Sequence, residues 1–196
     1  MVDIRPIRIP GRWSDGRALD VHTIRSTHVG DDEFGHPRFE TERSPMGELL
    51  YRLKYKGDRS VVPAIAEAAT AFVRSWQPGL EMVVTVPPSR ERAVQPVLLV
   101  GAALAEGLGL AFEPQVVRRS REAPQLKDVF DYDERWRLLD GLHEIATPRV
   151  EGRRILLFDD LFRSGATLNA VTAALYDRGH AAVVCALTLT RSRSQQ

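Results

Sequence analysis

The feature that most constrains the fold is an apolar run that ends in two adjacent carboxylates and a glycine turn. Residues 155–158 are long enough for one buried strand, and Asp159 and Asp160 come directly after it. Residues 164–167 then precede a segment whose apolar residues recur at helical spacing. A buried strand that enters a helix through a short turn is half of a β-α-β unit. The sequence therefore predicts an α/β protein built on a parallel sheet.

The same alternation of strand and helix continues along much of the chain. Short apolar runs are followed by segments with one apolar face at helical spacing. The expected strands are 82–86, 115–117, 154–158 and 181–190. The expected helices are 46–55, a segment from Ser60, 97–108, 134–139 and 167–177. The predicted fold is a twisted, mostly parallel sheet with flanking helices and a small hood or N-terminal subdomain.

Residues 1–45 differ in composition from the rest of the chain. They are rich in Gly, Asp, Arg and His, and one weakly alternating segment over 18–28 is expected to be a strand. We therefore expect an N-terminal extension or small subdomain over 1–45, whose role the sequence does not indicate. A main domain over 46–190 and a disordered tail over 191–196 complete the predicted organisation.

Charge and composition argue against several classes of protein. A net charge of +1 gives no basic bias, so direct nucleic-acid binding is not expected. No apolar stretch approaches the ~20 residues of a membrane span, so a cytoplasmic protein without membrane attachment is expected. The single cysteine, Cys185, is expected in the core. His22, His28 and His36 match no ligand spacing, and no metal held by the protein alone is predicted.

The turn after residues 155–158 has groups suited to a ligand with a phosphate and a diol. The start of a helix offers unpaired backbone N–H groups and the positive end of its dipole. Gly165 permits close approach of the backbone, and nearby hydroxyls add hydrogen bonds to phosphate oxygens. Asp159 and Asp160 accept hydrogen bonds from vicinal sugar hydroxyls. The alternative is that both acids are solvated residues of an ordinary turn.

This segment resembles the motif by which type I phosphoribosyltransferases bind 5-phosphoribosyl-1-pyrophosphate (PRPP). That motif is a strand, two acids, two apolar residues and a Thr/Ser-Gly-x-Thr turn. The resemblance implies an enzyme that uses PRPP, with Mg²⁺ bound largely through PRPP, and it assigns catalysis to Asp159 and Asp160. The PRPP-binding residues that it implies here are Arg163, Ser164, Gly165, Ala166 and Thr167.

More of the chain is similar to the ComF-type, or competence-associated, branch of these enzymes. Residues 53–58 resemble its Leu-Lys-Tyr segment, and 84–90 resemble its strand, Val-Pro and basic loop. Residues 118–135 resemble its Arg-Arg, Pro-Gln and Glu-Arg stretch. The further PRPP-binding residues that this similarity implies are Lys54, Pro88, Ser89 and Arg90.

Two of these segments have alternative interpretations. Ser89 and Arg90 hold the pyrophosphate if they form a constrained loop, and they are solvated if they begin a helix. The basic residues between Arg118 and Lys127 are either an exposed surface or a mobile hood that closes over pyrophosphate.

The chain departs from the ComF branch in two places. It lacks the four-cysteine zinc module usual at the N-terminus, which argues against a role in DNA uptake. Arg163 stands where relatives carry a small or hydroxyl residue, and it cannot exchange a proton as the aspartate of hypoxanthine-type relatives does. Arg163 faces either an acceptor with an anionic or hydrogen-bond-accepting edge, or solvent and an acid such as Glu134.

The resemblance implies transfer of the phosphoribosyl group of PRPP to an unidentified small-molecule acceptor, a nitrogen nucleophile, with release of pyrophosphate. Two alternatives stay open: a regulatory protein that binds PRPP without turnover, and an accessory protein of competence or DNA processing. The sequence also leaves the oligomeric state open, a homodimer included.

Overall fold

The computed structural model describes residues 2–88, 94–120 and 141–192. The strands are β1 (Ile7–Arg8), β2 (Asp15–Val21), β3 (Thr23–Asp31), β4 (Pro37–Arg43), β5 (Met82–Thr85), β6 (Ala111–Phe112), β7 (Val117–Arg119), β8 (His143–Ile145), β9 (Arg154–Phe162) and β10 (Val183–Arg191). The helices are α1 (Pro45–Tyr55), α2 (Val62–Trp76), α3 (Pro96–Leu108) and α4 (Ala166–Asp177).

Six strands form the main sheet, in the order β1-β2-β10-β9-β5-β6. All neighbours in it are parallel except the edge pair of β1 and β2. β3 pairs with β4, and β7 pairs with β8, as two separate antiparallel hairpins. The predicted α/β class, with a mostly parallel sheet and flanking helices, is confirmed.

Helices cover both faces of the main sheet. Leu156 and Phe158 of β9 pack into a core formed with α1, α2 and α3. Ile155 and Leu157, on the opposite face, pack into a second core with α4. The central strand is therefore apolar at successive positions, because both of its faces are buried. Cys185 of β10 lies in the first core, as expected.

The N-terminal region differs from the expected extension. β2 lies inside the main sheet, between β1 and β10, so residues 7–21 belong to the same sheet as the domain predicted for 46–190. The strand expected over 18–28 is interrupted at His22, where the backbone leaves β2 and enters β3. The physical reason is parallel pairing with β10, a strand far along the chain that local composition does not indicate.

Smaller differences concern the ends of elements. β7 begins at Val117, where the sequence predicted a strand over 115–117. The helix predicted at 134–139 and the tail after Ser192 lie outside the described residues. Within the part of the chain that the structure describes, no helix has the length and apolar character needed to cross a bilayer.

Candidate functional site

A gap opens at the carboxyl end of the main sheet because β5 ends before β9. β9 stays paired with β10 as far as Phe162, beyond the predicted strand end at Phe158. On its other side, the last hydrogen bond runs from the backbone N–H of Val86 to the carbonyl of Phe158, at 3.0 Å. Two prolines come after Val86, and neither has an N–H group to continue the ladder. The final residues of β9 therefore have a strand neighbour on one side only.

The space beside this exposed edge is a cleft of ≈ 170 Å³, the main cleft. Both acids of the motif line it, as does Lys54 from α1. Its other lining residues are Val86, Pro87, Pro88, Gln95, Pro96, Val97, Arg119 and Thr167. The ends of two neighbouring parallel strands meet there, the usual ligand position in an open α/β sheet.

Lys54 and Asp160 form an ion pair at the wall of the main cleft. Lys54 Nζ donates a hydrogen bond to Asp160 Oδ2 at 2.7 Å, and the two side chains are only 17% and 12% exposed. The neighbouring carboxylate is held by the backbone, since the N–H of Asp160 donates to Asp159 Oδ1 at 2.8 Å. The three groups are therefore fixed in position, with one cation for two carboxylates.

Burial, together with the charge of the adjacent Asp160 carboxylate, raises the pKa of Asp159 to about 8. The hydrogen bond from the Asp160 N–H and the charge of Lys54 act in the opposite direction and lower the pKa. Asp159 is therefore protonated at neutral pH in the ligand-free protein, and its ionisation would give the site two carboxylates for the single cation of Lys54. A divalent cation or a hydroxyl-rich ligand would relieve this excess.

A second cavity, the loop pocket of ≈ 120 Å³, adjoins the main cleft. Its lining residues are Asp159 and residues 161–168. Asp159 and Thr167 line both cavities, so a ligand could extend from one into the other. Gly165 directly precedes α4 as its N-cap, with φ at 78°. The backbone N–H of Ala166 donates a hydrogen bond to Ser164 Oγ at 3.5 Å. The loop pocket thus lies at the amino end of a helix, where an anion is favoured.

Gly165→Ala should lower the free energy of unfolding by about 2 kcal/mol, because the left-handed backbone conformation strains any L-residue. The new methyl group would also come within 2.8 Å of Phe162 Cε2. Gly109→Ala is the matched control, since Gly109 has a similar φ of 69° and nothing within 4 Å of the added carbon. Urea unfolding of both variants separates strain from crowding. An equal loss of stability in both variants would show that Phe162 moves away from the new methyl group without a measurable cost.

Arg119 is a cleft residue that the sequence analysis did not include among the binding residues. It ends β7, lines the main cleft and donates through Nη2 to the carbonyl of Pro87 at 3.3 Å. Burial lowers the pKa of its guanidinium from the ordinary value. In the sequence, its position in an Arg-Arg pair was the feature that could have indicated a role in binding. Pro88 lines the cleft, whereas Ser89 and Arg90 lie outside the described residues.

Arg163 is exposed and lines the loop pocket, not the main cleft. It directly follows Phe162, the last residue of β9, which is paired with Arg191 at the end of β10. His22, which the sequence analysis treated as an ordinary histidine, lies at this same end of the sheet. Its backbone N–H donates to the carbonyl of Arg191 at 2.8 Å. No local pattern pointed to it, because its position depends on the pairing of β2 with β10.

No protein-family model matches the chain. The chain is 29% identical, over 154 residues, to the competence protein ComFC of Bacillus subtilis (strain 168). The alignment covers 78% of this chain and 62% of ComFC, so the chain spans less than two thirds of that relative.

Among solved structures, the fold is similar to adenine phosphoribosyltransferase from Trypanosoma brucei in complex with AMP, pyrophosphate and ribose-5-phosphate. The TM-score is 0.50 at 11% identity, with 96% of this chain and 86% of that chain covered. Together with the strand order and the position of the acidic pair, the structural similarity shows that the chain has the phosphoribosyltransferase fold, and its sequence is similar to that of ComFC.

Proposed function

We propose that the protein binds PRPP and transfers its phosphoribosyl group to a small-molecule acceptor, with release of pyrophosphate. The main observation in support of this proposal is that the two cavities meet at Asp159 and Thr167, which line both of them. A helix start suited to phosphate lies on one side of the junction, and a pair of carboxylates suited to a diol lies beside it. PRPP has a 5′-phosphate and a ribose diol in this order.

The main cleft continues past the acids to Arg119 and Pro88, where the pyrophosphate would lie. Arg119 would supply charge-assisted hydrogen bonds to it. Lys54 would stay close to Asp160 and keep that carboxylate oriented toward the ribose hydroxyls. The acids would add negative field next to the anomeric carbon as positive charge develops there.

Mg²⁺ fits the donor set of the main cleft. Carboxylate oxygens are hard ligands of the kind that Mg²⁺ accepts, and it usually binds through substrate phosphates together with one or two carboxylates. The raised pKa of Asp159 supports this fit, because burial and the neighbouring Asp160 charge both disfavour a second carboxylate there unless a cation binds. Bound there through PRPP, the ion would stabilise the leaving pyrophosphate.

PRPP with Mg²⁺ should raise the melting temperature of the protein, because the ligand binds only the folded state. At 100 times the dissociation constant the gain is about 2.7 kcal/mol. Differential scanning fluorimetry with PRPP alone, Mg²⁺ alone and both together tests this. No shift at millimolar PRPP with Mg²⁺ would exclude the proposed ligand.

The similarity to a competence protein supports a second candidate, a protein that binds PRPP in that process without turnover. The two candidates differ in one measurable product. If the protein is an enzyme, pyrophosphate release measured across a panel of amine and base acceptors should rise above the rate without protein. Binding of PRPP without release for any acceptor would favour the second candidate.

A further inference from the structure

A buried histidine lies next to the arginine of the main cleft. Arg119 of β7 and His143 of β8 are paired with each other across the β7–β8 hairpin. Directly opposite residues of an antiparallel pair project to the same face. The next pair on that face, Val117 and Ile145, packs into the second core together with α4. The side chains of Arg119 and His143 therefore both project to the inner face of the hairpin.

The imidazole of His143 is only 2% exposed, and neither of its ring nitrogens has a hydrogen-bond partner within residues 2–88, 94–120 and 141–192. A polar group that is buried without a partner is costly to the folded state, and such groups are uncommon in native proteins. A hydrophobic side chain of similar size would avoid this cost. The position of the ring beside a ligand-binding arginine therefore calls for a functional explanation.

His143 is neutral at pH 7. Burial, together with the charges of Arg119 and Arg178, lowers the pKa of His143 to about 4. In the neutral ring one nitrogen is a donor and the other is an acceptor. A guanidinium group has donors only. The acceptor nitrogen of His143 and the guanidinium of Arg119 are therefore chemically complementary neighbours.

Hydrogen bonds fix the backbone to which the imidazole is attached. Arg178, directly after α4, donates through Nη1 to the carbonyl of His143 at 2.6 Å. The N–H of Ser120 donates to the carbonyl of Leu142 at 2.9 Å, which extends the pairing of the hairpin by one step. The Cβ atoms of directly opposite residues lie about 4.5–5.5 Å apart, so rotation about side-chain bonds is enough to join Arg119 to His143.

We propose that His143 is a positioning residue for the pyrophosphate of PRPP: with PRPP bound, a ring nitrogen accepts a hydrogen bond from the Arg119 guanidinium and holds it toward the main cleft. This inference rests on the proposed function, which assigns the pyrophosphate to Arg119. His143 acts through the arginine, since it lines neither the main cleft nor the loop pocket. A long side chain with many rotamers binds more tightly when a neighbour restricts it to the productive one.

The first test uses the unmodified protein, labelled with ¹⁵N in its histidines. The ring signals of His143 are assigned by their loss in His143→Phe, and they are recorded at pH 7 with and without PRPP and Mg²⁺. We expect the acceptor nitrogen to shift to lower frequency on saturation, the direction that an accepted hydrogen bond produces. The donor nitrogen should keep its shift, which distinguishes this bond from protonation of the ring. An acceptor signal that PRPP leaves unchanged would overturn the proposal.

His143→Phe keeps a ring of similar size and removes both nitrogens. It should weaken the binding of PRPP with Mg²⁺ about tenfold in titration calorimetry, as expected for one hydrogen bond to a charged group. Ribose 5-phosphate, which lacks the pyrophosphate, should bind equally well to the variant and the unmodified protein. Ile145→Val is the matched control, because it changes the same face of the hairpin without a change in hydrogen bonding. The control should leave both affinities unchanged. An equal loss for both ligands in His143→Phe would mean that His143 only supports the fold, against the proposal.

A double-mutant cycle with Arg119→Met tests whether His143 acts through the arginine. In the Arg119→Met background, His143→Phe should cause no further loss of PRPP affinity. Additive losses in a protein that binds PRPP would refute the role of His143 and leave the proposed function intact. If the unmodified protein binds no PRPP, the proposed function fails, and the role of His143 fails with it.

Discussion

Lys54→Met should destabilise the protein by about 3 kcal/mol at neutral pH, because it leaves the buried carboxylate of Asp160 without a cation. Methionine keeps the length of the aliphatic chain, so the loss of packing is small. The pair is not fully enclosed, which places the effect near the lower end of what removal of one buried partner usually costs. Urea unfolding at pH 7 measures it.

The double variant Lys54→Met with Asp160→Asn should recover most of the lost stability, because it removes the unpaired charge. A double-mutant cycle then gives the coupling energy of the pair, which should be about 2 kcal/mol. Lys56→Met is the control for loss of a lysine from the same helix end, and this exposed residue should change stability by less than about 0.5 kcal/mol. A double variant no more stable than Lys54→Met alone would show that the ion pair is not the cause.

Asp159→Asn should stabilise the ligand-free protein increasingly as the pH rises. The folded-state pKa of Asp159 is raised to about 8, so the folded protein favours the protonated form. The corresponding stability is fully present below the unfolded-state pKa of about 4 and is lost as the pH rises through about 8. Asparagine remains neutral at every pH, so the variant does not lose this stability as the pH rises. The variant's advantage should therefore grow by about 4 kcal/mol between pH 5 and pH 9.

Guanidinium unfolding at several pH values tests this, with Glu67→Gln on the exposed face of α2 as the control. The control should show no such trend with pH, because an exposed carboxylate has nearly the same environment in the folded and the unfolded protein. A flat difference between Asp159→Asn and the unmodified protein would mean that Asp159 is ionised in the folded state at neutral pH. The same variant should bind PRPP with Mg²⁺ more weakly, so stability and ligand binding change in opposite directions.

The opposite signs of these two expected effects have one physical origin. Lys54 neutralises the carboxylate of Asp160, and the adjacent Asp159 has no cation of its own, so it stays protonated until the pH approaches about 8. Such a site is costly to the empty protein and favourable to a ligand that supplies hydroxyl groups or a metal ion. Residues that bind ligands often reduce stability in this way.

The local chemistry of the site could be predicted from the sequence because its parts are contiguous. The apolar content of residues 155–158 predicts a strand, Gly165 predicts a turn in which the backbone can approach a ligand closely, and the apolar spacing after it predicts α4. These inferences depend on dihedral preferences and on hydrophobic period, which act within a few residues. The order of acids, glycine and hydroxyls therefore indicated a phosphate and a diol before any tertiary contact was known.

The sequence by itself thus determined the α/β class, the turn at the head of α4 and the identity of the acidic pair. Only the tertiary structure decided that β5 stops short of β9 and opens the main cleft, that Lys54 reaches an acid 106 positions away, and that β2 enters the sheet. These outcomes depend on strand register and on parallel pairing between distant segments. Such contacts are selected by the packing of the whole core, and no short stretch of residues contains the information that specifies them.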